Sequence, residues 1–335
     1  MPKISLVCLL LVSSIFLLSW RNQEEQPWTG EDNLYDVLWD LGAPKPPHYI
    51  QPSPEQIKQG EEIVKNGRTK DAKGKRTTYV SKYYVCTTCH NIERENPDLT
   101  ISDPETRLDY AIEHKLPFLQ GSTFKGIVNR ESWYNDDYVK KYGSEKIKTA
   151  HKDLRKSIQL CAIECSQGRL MKGWEVEAVL AYYWSLQWKM GDLDLSEQDW
   201  QYLNGNDDKP SKIKWLKRQY LQQSPAHFYG PPKNLKKGYE NTQKGDPKKG
   251  KAIYELSCLW CHNEKGVSHY LLDNTSISLQ NLRSNLYKNS HFSLYYIIAY
   301  GTYSLPGHRP YMPHYPIERL NKQQVEDLKS YILKK

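Results

Sequence analysis

The string Cys-x-x-Cys-His occurs twice, as Cys86-Thr-Thr-Cys89-His90 and Cys258-Leu-Trp-Cys261-His262, and no other feature constrains this chain as much. Two thiols at that spacing add across the two vinyl groups of one porphyrin, while the adjacent imidazole reaches the iron from the proximal side. Random placement of the seven Cys and ten His of a 335-residue chain would produce roughly 0.004 such strings, so neither copy is an accident. Nothing in the sequence supplies the partner a zinc knuckle needs or the βαβ pattern around a thioredoxin-like dithiol. Each motif therefore specifies one covalently attached c-type haem (iron), two in all. Only 38% of residues are apolar, and the porphyrins complete the cores.

Four of the seven cysteines are thus haem thioethers. Cys8 lies in an apolar N-terminal run, and Cys161 and Cys165 remain. The run, residues 4–20, follows Lys3 and precedes Arg21, Glu24 and Glu25, the pattern of an export signal or a membrane anchor. It lacks small residues of the A-x-A type at its end, which favours an uncleaved anchor. Either way the remainder is expected in the periplasm, secreted across or anchored to the cytoplasmic membrane. The net charge of +8 is spread over Lys-rich stretches. They read first as solvated surface and second as an attraction for an anionic substrate or an acidic partner. No basic-aromatic pattern for nucleic acid is visible.

The chain divides into residues 1–22 (signal peptide or anchor), a polar Pro-rich spacer at 23–52, a first haem domain at 53–190, a connecting segment at 191–240 and a second haem domain at 241–335. Ser53-Pro54-Glu55-Gln56 offers a capping box with proline at the first helical position, predicting a helix to about Lys65. Residues 68–82 read as a loop. Helical periodicity returns at 105–114 and 152–164, and at 175–186 with Val176, Val179, Leu180 and Tyr183 on one stripe. In the second half, Asp246-Pro247 starts a helix, and Asn321 caps another that runs to about Leu333 with Val325, Leu328 and Ile332 on one side. Gly250 permits a close crossing of these two helices, with Tyr254 and Tyr331 to fill it. The connecting segment is too long for a plain linker, so part of it should pack against a domain.

Proximal ligands follow from the motifs: His90 and His262. For the second haem Met312, in Tyr311-Met312-Pro313, is the leading sixth ligand, with His291, His308 and His314 as competitors. A thioether ligand raises the potential and suits an electron outlet. For the first haem, position relative to Tyr182 favours Cys161 or Cys165 over Met171. A thiolate is an established haem ligand, and a Cys161–Cys165 disulfide is the structural alternative.

Two resemblances enter on these residues. The helix pair around the second motif is that expected of class I cytochrome c. The stretch Gln120-Gly-Ser-Thr-Phe-Lys-Gly-Ile-Val-Asn129-Arg130, then Ile158-Gln-Leu-Cys161 with Gly168 beyond it and Ala181-Tyr182 in the closing helix, resembles the dihaem, tetrathionate-forming thiosulfate dehydrogenases. The resemblance departs at Cys165-Ser166-Gln167-Gly168, where the family has Ser-Met-Asn-Gly, and at residues 131–153, which look inserted. It implies a mainly α fold of two class I cytochrome c-like helical haem domains in tandem. It also implies His90 and Cys161 as the iron ligands of a catalytic first haem, and His262 and Met312 as those of the second. The expected oxidoreductase takes electrons from thiosulfate or a related sulfur oxyanion and passes them to a redox partner, a cytochrome or a respiratory complex. Proximity to the ligands adds Arg130, Arg169 and Lys172 as catalytic candidates. The alternative is a non-catalytic electron-carrier subunit of a respiratory-chain complex.

Overall fold

The computed structural model describes residues 27–290, 292–302 and 310–334. The apolar run at 4–20 with Cys8, and the competing ligands His291 and His308, lie outside the described residues. Among those described the chain is helical, with isolated bridges at Asn33–Lys189 and Lys70–Arg76 and no strand. No described helix is long and apolar enough to cross a membrane.

The part read as a spacer contains a helix, α1 (Leu34–Asp40), that buries Leu34, Tyr35, Val37 and Leu38. Apolar residues at that spacing form one helical stripe, and the polar composition of the flanks hid it. The capping box at Ser53 forms: its hydroxyl accepts from Gln56 N at 3.2 Å, while Gln56 Oε1 accepts from Ser53 N at 3.1 Å. It opens α2 (Pro54–Asn66), which Gly67 ends in the left-handed region that glycine favours. There follow α3 (Pro104–His114), α4 (Val139–Tyr142), α5 (Ser144–His151), α6 (Leu154–Leu160) and α7 (Gly173–Ser185). In the connecting segment α8 (Glu197–Asn204) and α9 (Lys209–Leu216) bury Leu203 and Leu216 in the first core. The second half has α10 (Pro247–Ile253), α11 (Leu259–His262), α12 (Ser276–Asn285), α13 (Leu294–Tyr300) and α14 (Lys322–Lys334).

Two glycine-mediated crossings organise these helices. A Cβ on Gly60 of α2 would stand 1.9 Å from Ala178 O in α7, and one on Gly250 of α10 would stand 2.0 Å from Asp327 O in α14. Only a residue without a side chain lets the backbones approach so closely. The Tyr254 and Tyr331 rings lie 5.5 Å apart beside the second crossing. Each crossing is adjacent to one Cys-x-x-Cys-His motif.

The apolar residues form two main cores. One runs from Leu34 to Tyr220 and takes in α1, α2, α7, α8 and α9. The other joins residues 235–332 to Leu108, Ala111 and Phe118, so α3 and the segment after it, early in the chain, pack on the C-terminal core. Polar bonds reinforce the seam: Gln324 Nε2 donates to Pro104 O at 2.7 Å, Asn321 Nδ2 to Glu105 Oε1 at 2.9 Å, and Phe118 N to Leu256 O at 2.9 Å. The Glu95 carboxylate takes both guanidinium arms of Arg319 at 2.6 and 2.8 Å.

Candidate haem-binding cavity

A cavity with about 1580 Å³ of empty space, its solvent mouth included, opens against the first motif. Cys86, Cys89 and His90 line it, and Cys161, Cys165, Met171 and Arg130 line it too. The tertiary structure thus gathers every sixth-ligand candidate for this haem into one space. Cys86 and Cys89 stand on a short 3₁₀ turn, Cys86–Thr88, whose tight winding sets the two thiols and the imidazole close together.

His90 is oriented for metal binding. Its Nδ1 lies 2.6 Å from Ser122 O. A carbonyl only accepts, so the proton is on Nδ1 and Nε2 keeps its lone pair. Burial pushes this imidazole down to about 4, against the upward pull of the Ser122 bond, and so keeps it neutral. Phe124 stacks on the ring at 4.5 Å. A Cβ on Gly121 would meet His90 Nδ1 at 2.6 Å and Cys89 O at 2.5 Å, so a glycine is required behind the imidazole. His262 repeats the arrangement, with Nδ1 2.7 Å from Tyr270 O. Two thiols, an imidazole with a fixed tautomer and a large lined space fit a c-type haem at the first motif. The thiols and tautomer fit one at the second.

At the other wall Cys161 and Cys165 bound a π-helical turn that continues α6. Of the two thiols, the charge favours Cys165. The Cys161 partner lowers the Cys165 thiol most, burial opposes it, and Lys141, Tyr142 and Tyr134 lower it further. Cys161 is raised by its Cys165 neighbour and by burial. Tyr142 Oη lies 3.2 Å and Tyr134 Oη 3.7 Å from Cys165 Sγ. Tyr134, Tyr138, Lys141 and Tyr142 all come from residues 131–153 and all line the cavity. In the sequence these tyrosines are marked only by their regular spacing of four residues, at 134, 138 and 142.

Arg130 lies in the cavity wall and donates to Ser122 Oγ at 3.0 Å and to Ser224 Oγ. Burial lowers it to about 10, so it stays charged at neutral pH, and among the described residues no carboxylate pairs with it. Arg169 and Lys172 do not line the cavity. Arg169 forms a two-armed pair with the fully buried Glu175 and donates to Tyr79 O and Thr78 O, which ties the 68–82 loop to the start of α7. Lys172 is exposed just before α7.

The C-terminal half closes the first cavity with Tyr311, Pro313, His314, Pro316 and Arg319. Met312, between two of these, packs instead on the second core, where Cys258 also packs. It is held there by Thr302 N to Met312 O at 2.8 Å and Met312 N to Thr302 Oγ1 at 2.7 Å. Tyr84 Oη bonds both Tyr311 O at 2.6 Å and Tyr311 N at 2.7 Å. His314 Nε2 lies 3.3 Å from Lys141 Nζ, which makes it an acceptor in the first cavity. The two motifs themselves touch: Trp260 Nε1 donates to Thr88 O at 3.2 Å.

Residues 247–335 match the family model of cytochrome c, a segment that contains Cys258, Cys261, His262 and Met312. No curated protein and no solved structure matches the chain. Domains of this family are typically extracytoplasmic. The second helix crossing and the Cys258-x-x-Cys261-His262 motif both fall inside the matched residues, so the C-terminal part of the chain is similar to a cytochrome c domain, a match that implies covalently bound c-type haem with iron and supports electron transfer.

Proposed function

We propose that the chain is a dihaem c-type cytochrome of two tandem class I cytochrome c-like domains. It takes electrons from thiosulfate or a related sulfur anion in the first cavity and passes them out through the second haem. The observation that carries this is the meeting of Cys86, Cys89 and His90 with Cys161, Cys165 and the unpaired cation Arg130 in one cavity. When bound, each haem supplies one-electron redox chemistry. The chain's own residues do the rest. His90 and His262 are held by carbonyls in the tautomer that leaves Nε2 free, Cys161 is the proposed sixth ligand of the first site, and Met312 that of the second. Arg130 and the tyrosine hydroxyls of residues 134–142 suit an anion with several oxygen acceptors. Around the second motif Trp260, Tyr270, Leu271 and Ile277 are exposed, an apolar collar that suits a protein acceptor such as a cytochrome or a respiratory complex.

The test is protein matured with its haem-attachment machinery. Two haems per chain are expected, with a low-spin His/thiolate electron paramagnetic resonance signal that Cys161→Ala abolishes. Persistence of that signal in Cys161→Ala and its loss in Cys165→Ala or Met171→Ala would move the ligand. Thiosulfate oxidation is read with an artificial acceptor. Absence of turnover in fully loaded protein would leave a non-catalytic carrier.

A further inference from the structure

Residues 68–82 carry six cations, Arg68, Lys70, Lys73, Lys75, Arg76 and Lys82, against one carboxylate, Asp71. All of these cations except Arg68 are exposed. The backbone that bears them is ordered. Asp71 N donates to Lys75 O at 2.9 Å and Thr77 N to Thr69 O at 2.8 Å, which makes the Lys70–Arg76 bridge a non-hydrogen-bonded antiparallel pair, the kind whose side chains stand closest. Like charges directly opposite each other in such a pair destabilise it. The Asp71 carboxylate is engaged in the turn, where it accepts from Lys73 N at 3.0 Å and Lys75 N at 2.9 Å. Neighbouring carboxylates are held elsewhere, Glu61 by Lys65, Glu62 by Thr69 Oγ1 and Glu175 by Arg169, and none of the six cations has an ion-pair partner among the described residues. Arg68 stacks on Tyr79 at 4.0 Å. Tyr79 is exposed, and so is Leu170, which follows the Arg169 that donates to Tyr79 O at 3.1 Å.

We propose that this hairpin is a docking surface for an acidic protein partner, whose carboxylates pair with the cations that the chain itself leaves unpaired. The like-charged Lys70–Arg76 bridge is a strain that such a partner relieves. Arg and Tyr are the residue types that dominate hot spots at protein interfaces, and the Arg68–Tyr79 stack supplies both. One tyrosine and one leucine are too little apolar surface to anchor in a bilayer, and a hydrogen-bonded hairpin holds its cations in one geometry, which suits a shaped partner. The unpaired field also speeds encounter, an effect that dissolved ions screen. At the base of the hairpin Val80 N donates to Gly67 O at 2.8 Å, and both residues line the first cavity. A partner seated here therefore stands beside the first cavity, on residues outside the cytochrome c match at 247–335. The surface goes beyond the proposed function, which places its protein acceptor at the second motif.

The experiment uses the haem-loaded full chain and fluorescently labelled polyglutamate as the acidic polypeptide. Binding is read by anisotropy at low salt and again as salt is added. Polyglutamate should bind, and salt should weaken it. Changing Lys70, Lys73, Lys75 and Arg76 together to Gln should lower the affinity by about tenfold. A control changes Lys233, Lys236, Lys237 and Lys244 to Gln, which removes the same charge from other exposed positions, and should bind as the unaltered chain does. A second measurement needs no variant: carbodiimide cross-linking of the unaltered complex, followed by digestion and mass spectrometry, should join polyglutamate to Lys70, Lys73 or Lys75. The proposal is overturned if polyglutamate does not bind, if the two sets of changes weaken it equally, or if the cross-links fall on residues 233–251 instead. It is also overturned if vesicles of phosphatidylglycerol bind through the hairpin more tightly than polyglutamate, since the surface would then serve a membrane.

Discussion

Replacing Arg319 by methionine should destabilise the protein by about 3–5 kcal/mol, the range for stranding one member of a buried ion pair. The pair is nearly dry, with Glu95 3% and Arg319 6% exposed. Besides Arg319, the carboxylate accepts Thr123 N at 2.9 Å and Asn91 Nδ2 at 3.1 Å. Arg107, stacked 3.7 Å over Phe118, has Nη1 3.9 Å from Glu95 Oε2, and this Nη1 has no hydrogen-bond partner. It offsets part of the loss and places the expected value toward the lower end of the range. Arg319 also donates to Leu119 O and Gly121 O, so its removal loosens the strand of chain that backs His90. Burial pushes Glu95 up, but the charge and hydrogen bonds of Arg319 win and hold it at about 2. A carboxyl depressed in the folded state stabilises fully above its ordinary value near 4.5, and that contribution fades as pH falls toward 2. In Arg319→Met, burial acts against a much weaker attraction and the shift reverses. The deficit of the variant should therefore be largest at neutral pH and shrink below about pH 4.5. Urea unfolding of the haem-loaded protein, followed by circular dichroism at neutral and acid pH, reads both effects. Adding Glu95→Gln to Arg319→Met should recover part of the loss at neutral pH. A variant as stable as the unaltered chain, or a deficit that grows on acidification, would refute the reasoning.

Gly60→Ala and Gly250→Ala each place a Cβ within about 2 Å of backbone on the facing helix. The helices must part by ~1 Å or more, at a cost of about 1–3 kcal/mol that exceeds the ~1 kcal/mol gained in helix propensity; a lower urea midpoint for both checks this. Trp260→Phe removes a direct hydrogen bond between the two Cys-x-x-Cys-His motifs, and a loss of about 0.5–1.5 kcal/mol is expected from the same unfolding curves. Arg169→Met leaves Glu175 buried beneath the 68–82 loop and should lower stability by several kcal/mol. The same variant should leave anion binding in the first cavity, measured by calorimetry with thiosulfate, unchanged. Arg130→Met should do the reverse.

Most helices were legible because their signals are local. Ser53-Pro54 and Asp246-Pro247 fix helix starts through side-chain caps, and the Val325, Leu328, Ile332 stripe needs only a period of 3.6 residues. Composition outweighs pattern elsewhere. The stripe of Leu34, Tyr35, Val37 and Leu38 lies in a polar context, and the cavity-lining tyrosines fall in a stretch that reads as an insertion. Nearness in sequence to the ligands does not bring Arg169 and Lys172 into the cavity: Arg169 pairs with the buried Glu175 and Lys172 is exposed.

By itself the sequence determined the covalent chemistry, because thioether attachment requires two thiols and a histidine at a spacing that is entirely local. Which groups face that chemistry was decided only by the tertiary structure. Packing of α3 on the C-terminal core and the bonds from Glu95 to Arg319 bring residues 311–319 over the first cavity, and the π turn after α6 sets the Cys165 thiol against the hydroxyls of Tyr134 and Tyr142. Those partners are separated by tens to hundreds of residues, and only burial of shared apolar surface makes them neighbours.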